Sequence, residues 1–483
     1  MSYSEFLGMG AELSLMAVII LLFIYDTFTS SKVGKYLPIT AILLLGIQTL
    51  YLAFGNSGGL GGFNDDTSLF GGMYVSTNIS NVAKIILNIG TILVFTQAAS
   101  WVKEDDMKIR RGEYYVLTLI TLLGMYFMMS AQNFLLFFIG LETASLPMTA
   151  LVAIEKYKEN SYEAAAKYLF FAVFSSALML LGLSYIYGAT GTLYYTGIAS
   201  ELTVTPLTIV AIVLFLAGMG FKLSLVPFHL WTADVYQGAP TVVTSYLSVI
   251  SKGAAAYALM VALTTAFGSG SEVWFNVLYI VIALTITIGN LFAIRQQNIK
   301  RFLAFSSVSQ AGYIMLGVMS YENGFGDASL LYYVLVYIFS NIAAFAVAGA
   351  IERASGKLNI NDYDGLYKTN PKLSVAMMLA MFSLAGIPPF AGFFSKFFIF
   401  YSAIETGTIP MYVLVFIALL NTIISLYYYL LVVKAMFLKD NETPIATIKS
   451  DGYTKAVVFV TALGIILLGL VSCVYDYIYN AAI

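Results

Sequence analysis

Apolar residues in this chain come in long unbroken runs, with few amphipathic stripes and no sustained alternation. A bilayer core about 30 Å thick takes about 20 residues of helix. Measured against that length, residues 9–28, 36–54, 78–101, 114–130, 132–153, 162–188, 205–236, 240–267, 273–293, 299–320, 328–352, 373–403, 409–438 and 453–479 read as fourteen spans. The runs are too long, and too little alternating, for an outer-membrane barrel. The expected fold class is an all-α membrane protein. Two spans carry internal breaks: Leu225-Val226-Pro227 in the seventh, and Gly386-Ile387-Pro388-Pro389 followed by Gly392 in the twelfth. Proline removes a backbone donor and clashes with the preceding turn. Both helices should therefore be broken, with the freed carbonyls facing protein or water rather than lipid.

Composition agrees. Of 483 residues 60% are hydrophobic and 10% charged, with a mean hydropathy of +0.85, whereas soluble domains carry roughly 25% charged residues. Soluble, fibrous and disordered classes are excluded. The single cysteine, Cys473, cannot close an internal disulfide or hold an iron–sulfur cluster. The single histidine, His229, cannot build a bis-histidine haem site or a histidine metal cage. There is no G-x-x-x-x-G-K-S/T phosphate loop and no G-x-G-x-x-G after a strand. No metal site and no cofactor bound by this chain are expected. The glycine-rich stretch 55–62 reads as a loop, and a net charge of −2 without a basic run gives no sign of nucleic-acid binding. Residues 1–10 hold Glu5 and no lysine, unlike the basic leader of a cleaved signal, so the first span is expected to be retained.

The basic residues orient the bundle. Lys32, Lys35, Lys103, Lys108, Arg110, Arg111, Lys156, Lys158, Arg295, Lys300, Arg301, Arg353, Lys357, Lys368, Lys372, Lys439, Lys449 and Lys455 follow spans one, three, five, nine, eleven and thirteen, and the alternate loops hold none. By the positive-inside rule these loops are cytoplasmic and both termini are not.

Weak internal similarity suggests duplication. Tyr168-x5-Phe174-Ser175 resembles Tyr333-x5-Phe339-Ser340 at an offset of 165, and Leu216-Ala217-Gly218 resembles Leu384-Ala385-Gly386 at 168. Five spans is an odd number, so a second copy runs upside down relative to the first, an arrangement used by transporters. The expected units are a three-helix segment (1–113), a first five-helix repeat (114–267), an inverted second repeat (273–438) and a C-terminal helix (439–483).

Six lysines remain inside spans: Lys84, Lys167, Lys222, Lys252, Lys396 and Lys434. A charge in lipid is costly and usually functional. Glu142 lies near the middle of span five, Lys222 just before the first break, Lys252 near the middle of span eight and Lys396 just after the second break. A carboxylate about 4 Å from a buried ammonium attracts it by about 4 kcal/mol at an effective dielectric of about 20. Moving Glu142 relative to Lys222 would thus load or unload a proton; the alternative is a fixed pair that only joins helices. Lys252 and Lys396 have no acidic neighbour in sequence. Lys167 is either an accessory carrier or a snorkelling lysine, and His229 either a relay or a packed core histidine. Lys434 reads as snorkelling and Lys84 as structural.

At these residues the pattern becomes specific. Gly220-Phe221-Lys222-Leu223-Ser224-x-x-Pro227-Phe228-His229-Leu230-Trp231-x-x-Asp234-x-Tyr236-x-Gly238-Ala239-Pro240 resembles the signature of the antiporter-like subunits of respiratory complex I. So do Glu142-Thr143-x-Ser145-Leu146-Pro147, Lys300-Arg301-x-Leu303-Ala304-Phe305-Ser306-Ser307 and Gly386-Ile387-Pro388-Pro389-x-x-Gly392-Phe393-x-x-Lys396. The resemblance covers about residues 110–440. It implies a fourteen-helix fold with two inverted five-helix bundles and a central proton-moving axis at Glu142, Lys222, Lys252 and Lys396. Among the L, M and N members of the family, the lysine at 396 and the chain length fit the N type best. Gln310 departs from the histidine of many relatives; glutamine binds water but holds no proton. The resemblance further implies quinone, flavin and iron–sulfur clusters in partner subunits, a neighbouring antiporter-like subunit, and a bacterial cytoplasmic membrane. The rival readings are a subunit of an Mrp-type sodium/proton antiporter or membrane-bound hydrogenase, and a structural subunit with inert buried charges.

Overall fold

The computed structural model describes residues 3–28, 36–55, 66–321, 324–471 and 473–483. Lys32, Lys35 and most of the glycine-rich stretch 55–62 lie outside them. In chain order the helices are α1 Tyr3–Leu7, α2 Gly10–Phe28, α3 Leu37–Phe54, α4 Asn78–Trp101, α5 Arg111–Met129, α6 Phe134–Val152, α7 Glu159–Thr190, α8 Tyr195–Glu201, α9 Pro206–Leu223, α10 Leu230–Gly238, α11 Thr241–Ala266, α12 Ser271–Ile294, α13 Ile299–Met319, α14 Phe325–Ser355, α15 Leu366–Thr369, α16 Pro371–Ala385, α17 Ala391–Glu405, α18 Ile409–Leu438, α19 Gly452–Leu470 and α20 Cys473–Ala482. Among the described residues thirteen helices are long and apolar enough to cross a membrane; Pro371–Ala385 is apolar but shorter.

Three differences from the sequence reading have local causes. The stretch 188–205, read as loop, holds the short helix α8, and before α4 a hairpin pairs β1 Thr67–Leu69 with β2 Tyr74–Ser76. The last span is two helices, because Val471 leaves the helix with extended backbone (φ −114, ψ 103). Helix starts follow ordinary capping chemistry: Thr77 and Thr205 form capping boxes with Ser80 and Thr208, while Asn133, Asn298 and Asp451 accept from first-turn amides.

Helices α11, α13 and α14 form the centre, with almost no exposed residue along α13. The described basic loops meet at one end of the bundle. Trp101 donates to Glu155 (3.1 Å), Ser100 to Asp451 (2.5 Å) and Arg353 to Thr454 (3.3 Å), and Asn298 bridges Asn359. At the opposite end Tyr74 bridges Ala131 and Asn133 bridges Tyr194.

A duplicated backbone pattern links those ends. At the non-basic end Phe134 N donates to Leu193 O, Tyr195 N to Gln132 O, and left-handed Gly191 closes α7 on Tyr187 O. At the basic end, 165 positions on, Ile299 N donates to Leu358 O, Ile360 N to Gln297 O, and left-handed Gly356 closes α14 on Glu352 O. The breaks repeat too. Ser224 N and Leu225 N bond Phe221 O and Gly220 O, and Gly386 N and Ile387 N bond Ser383 O and Phe382 O. The spacing there is 162, not the 168 read from Leu-Ala-Gly, since Leu216-Ala217-Gly218 lies inside α9 whereas Gly386 is itself the cap of α16.

Candidate functional site

Both interrupted helices end in a left-handed cap, Ser224 (φ 59) after α9 and Gly386 (φ 85) after α16. A helix end leaves carbonyls without intrahelical partners and carries partial negative charge. The buried lysines gather about these ends. Lys222, in the last turn of α9, is 4% exposed and its Nζ donates to Ser145 Oγ at 2.8 Å. Lys396, in the second turn of α17, is 5% exposed and reaches back to the freed carbonyls of Leu384 (3.0 Å) and Ala385 (3.1 Å). Its Nζ also lies 5.0 Å from the centre of the Tyr313 ring, within cation–π range. Beside it is a cavity of about 10 Å³ lined by Gln310, Tyr333, Ser340, Ser383 and Gly392 among others, room for roughly one water.

A third buried lysine, Lys252, stands in mid α11. It is 1% exposed, with Nζ on Ser307 Oγ (2.9 Å) and Ser307 O (3.3 Å), 5.7 Å from the Tyr236 ring centre. All three ammonium groups are thus held by hydroxyl or carbonyl oxygens, and among the described residues none makes an ion pair within 4.0 Å. Neutral oxygens stabilise the ammonium without fixing its proton as a carboxylate contact would.

Glu142 and Lys222 are not an ion pair here. Glu142 is only partly buried and accepts from Ser176 on α7, while Lys222 turns to Ser145, three residues further along α6. Lys167 is half-exposed, in ion pairs with Glu163 (2.6 Å) and Asp234 (2.7 Å), and Asp234 also binds Arg301 (2.7 Å). His229 is buried against Phe292 and Phe305, and neither ring nitrogen has a side-chain partner among the described residues. Pro227, Pro388 and Pro389 lie in the two interruptions, and Lys434 is exposed on α18. Among the described residues no cluster of three metal-ligating side chains occurs.

The surroundings of several other residues emerge only in the fold. Lys300, read as a loop charge, is in the first turn of α13 and 2% exposed, donating to Ala239 O (2.7 Å) with Glu352 at 3.6 Å. Its spacing of seven from Ser307 places both on one helix face, a signal available in sequence. Gln310 accepts from Tyr333 and donates to Tyr429 (3.1 Å) and to Leu384 O (3.2 Å), the carbonyl shared with Lys396. Glu12 and Lys84 form a buried pair at 2.8 Å, with relative exposures of 1% and 0%.

Paired helix breaks with ammonium groups at their ends, inside a spanning bundle, are the architecture of membrane ion carriers. A family described as NADH:quinone oxidoreductase/Mrp antiporter, transmembrane, matches residues 131–425, and the chain belongs to it. It is 55% identical to NADH-quinone oxidoreductase subunit N of Phocaeicola vulgatus, covering 100% of both chains. A chain of respiratory complex I from Thermus thermophilus is 30% identical with a TM-score of 0.79, over 95% of this chain and 97% of that one. A chain of the Mrp complex from Dietzia shares the fold at 22% identity, TM-score 0.81, over 98% of this chain and 96% of that one.

Proposed function

We propose that the chain is a proton-translocating membrane subunit of an NADH–quinone oxidoreductase, of the N type, working without redox chemistry of its own. The observation that carries the mechanism is that three lysines, Lys222, Lys252 and Lys396, are buried within the helices, each on neutral oxygens. In this reading Glu142 leaves Ser176 and approaches Lys222, favouring the ammonium, then retreats and favours release. Lys252 passes protons between two inverted halves, 114–267 and 273–438, and Lys396 loads or releases at the second break. Lys167 and His229 are accessory. Quinone reduction, with flavin and iron–sulfur clusters, belongs to other subunits of the complex, and the membrane partners of this chain include a neighbouring antiporter-like subunit. The setting is a bacterial cytoplasmic membrane with the basic end inside and both termini outside.

The test is NADH-driven proton uptake in inverted vesicles containing the whole complex. Lys222→Ala and Glu142→Gln are expected to slow this proton uptake by about a hundredfold or more, the low end of what a positioned acid–base group contributes to a rate. Unchanged uptake in assembled complex would leave the buried charges with a structural role only. Sodium-dependent transport without an electron donor would instead favour the antiporter reading.

A further inference from the structure

The buried Glu12–Lys84 pair belongs to neither break, yet it is joined to α6 by an unbroken set of contacts. Lys84 Nζ lies 2.8 Å from Glu12 Oε1, and Tyr74 donates its hydroxyl to Glu12 Oε2 at 2.7 Å. Tyr74 itself is 1% exposed and opens β2. The hairpin then grips the turn between α5 and α6: Val75 N donates to Ser130 O and Gln132 N to Met73 O, both at 2.9 Å. Asn133, the next residue, caps α6 through Leu135 N (2.8 Å). Helix α6 carries Ser145, which accepts from Lys222, and Glu142, which accepts from Ser176.

A lysine and a glutamate withdrawn fully from water cost desolvation that their attraction roughly offsets, so such a pair is poor evidence of stability; fixing a register is its best-attested use. Here the register in question is that of the hairpin, and through it the axial and rotational position of α6. We propose that Glu12, Lys84 and Tyr74 are positioning residues for the Glu142–Lys222 step, holding α6 where Ser145 meets Lys222 and Glu142 meets Ser176. The inference rests on the proton-carrying reading of Glu142 given above.

A double-mutant cycle between Tyr74→Phe and Glu142→Gln, read as protons pumped per electron pair by the whole complex in vesicles, tests it. Tyr74→Phe removes one hydroxyl and keeps the ring. It is expected to lower the ratio about two- to fivefold, within the range of coupling between connected residues, and to have no further effect once Glu142 is glutamine. A merely structural role would give the same fractional loss in both backgrounds and would overturn the proposal, as would an unchanged ratio in Tyr74→Phe alone. Should Tyr74→Phe fail to assemble, Glu12→Gln takes its place in the same cycle with the same two readings. If Glu142→Gln alone leaves pumping intact, the carrier reading fails instead, which separates the two failures.

Discussion

The two helix breaks share a backbone and differ in nearly everything attached to it. Each has a left-handed cap and the same two hydrogen bonds back into the preceding turn. At the first, the lysine precedes the cap and binds a side chain of another helix, the Ser145 hydroxyl. At the second, the lysine follows the cap and binds the carbonyls of the broken helix itself. With the caps aligned, Lys396 falls opposite Asp234 and Lys222 opposite Leu384, so neither lysine replaces the other. The first break also opens on a cavity of about 90 Å³ lined by Phe174, Pro227, Phe228 and Leu230 among others, with Leu230 63% exposed. The second is sealed by α19, whose Gly469 lies so close that a Cβ would sit 2.3 Å from Pro389 O. The same backbone termination thus serves twice, once with a lysine held by a side chain and once with a lysine held by backbone carbonyls.

The largest expected effect breaks this comparison at its tightest point. A Cβ at Gly392 would lie 1.7 Å from Ser383 O, and Gly392 N donates to Ser383 Oγ at 3.1 Å. Gly392→Ala must push α17 off α16, an overpacking against backbone that costs about 3 kcal/mol or more. Loss of the subunit from the assembled complex, seen on native gels, is the expected result. The counterpart at the first break is exposed Leu230, where Leu230→Ala should assemble normally.

Next in size is the contrast between the lysines as structural groups. In Lys396→Met, Leu384 O keeps Gln310 Nε2, but Ala385 O loses the one side-chain donor seen on it, at a cost of about 1–3 kcal/mol for a buried orphan. In Lys222→Met, Ser145 still donates to Leu141 O at 2.6 Å, so less than about 1 kcal/mol is expected. Thermal unfolding of the purified complex, followed at this subunit, should therefore separate the two variants. Equal losses would mean that the carbonyl contacts of Lys396 are not structural.

What sequence revealed and what it hid divide along the same line. Spans, breaks and buried lysines were legible because bilayer thickness and the cost of charge in lipid act on residue types one at a time. The clustering of basic loops was legible for the same reason. The partners were not. Nothing local to Lys222 indicates Ser145, and nothing local to Lys396 indicates carbonyls eleven and twelve residues back across a break. Glu142 facing Ser176 instead of Lys222 depends on the packing of α6 against α7, which no spacing encodes. Lys300 was misread since its loop position and its burial at the foot of α13 look alike until Ala239 and Glu352 meet it. The split of the last span at Val471 carries no proline to announce it, and Gly469 just before it is still helical, packed against Pro389.

The smallest effect probes the seal on the second break. Helix α19 starts from Asp451, whose carboxylate accepts from Ser100 Oγ (2.5 Å) and Thr454 N (3.2 Å). Burial pushes this carboxyl up, but hydrogen bonds from Ser100 and Thr454 outweigh it and hold the group below its ordinary range. A carboxyl depressed in the folded state contributes stability above its unfolded value, about 3.9, and loses it as pH falls through the lower folded one. The cap should therefore be at full strength from pH 7 to pH 5. Asp451→Ala removes it at any pH, for about 1 kcal/mol of helix-end stability. Amide exchange in the first turn of α19 should then speed up about fivefold at pH 7, with a weaker rise around Pro389 where α19 leans on α17. Exchange in α10, beside the open first break, should not change. Faster exchange at α10 as well would mean that the two breaks are mechanically coupled, and that sealing one also steadies the other.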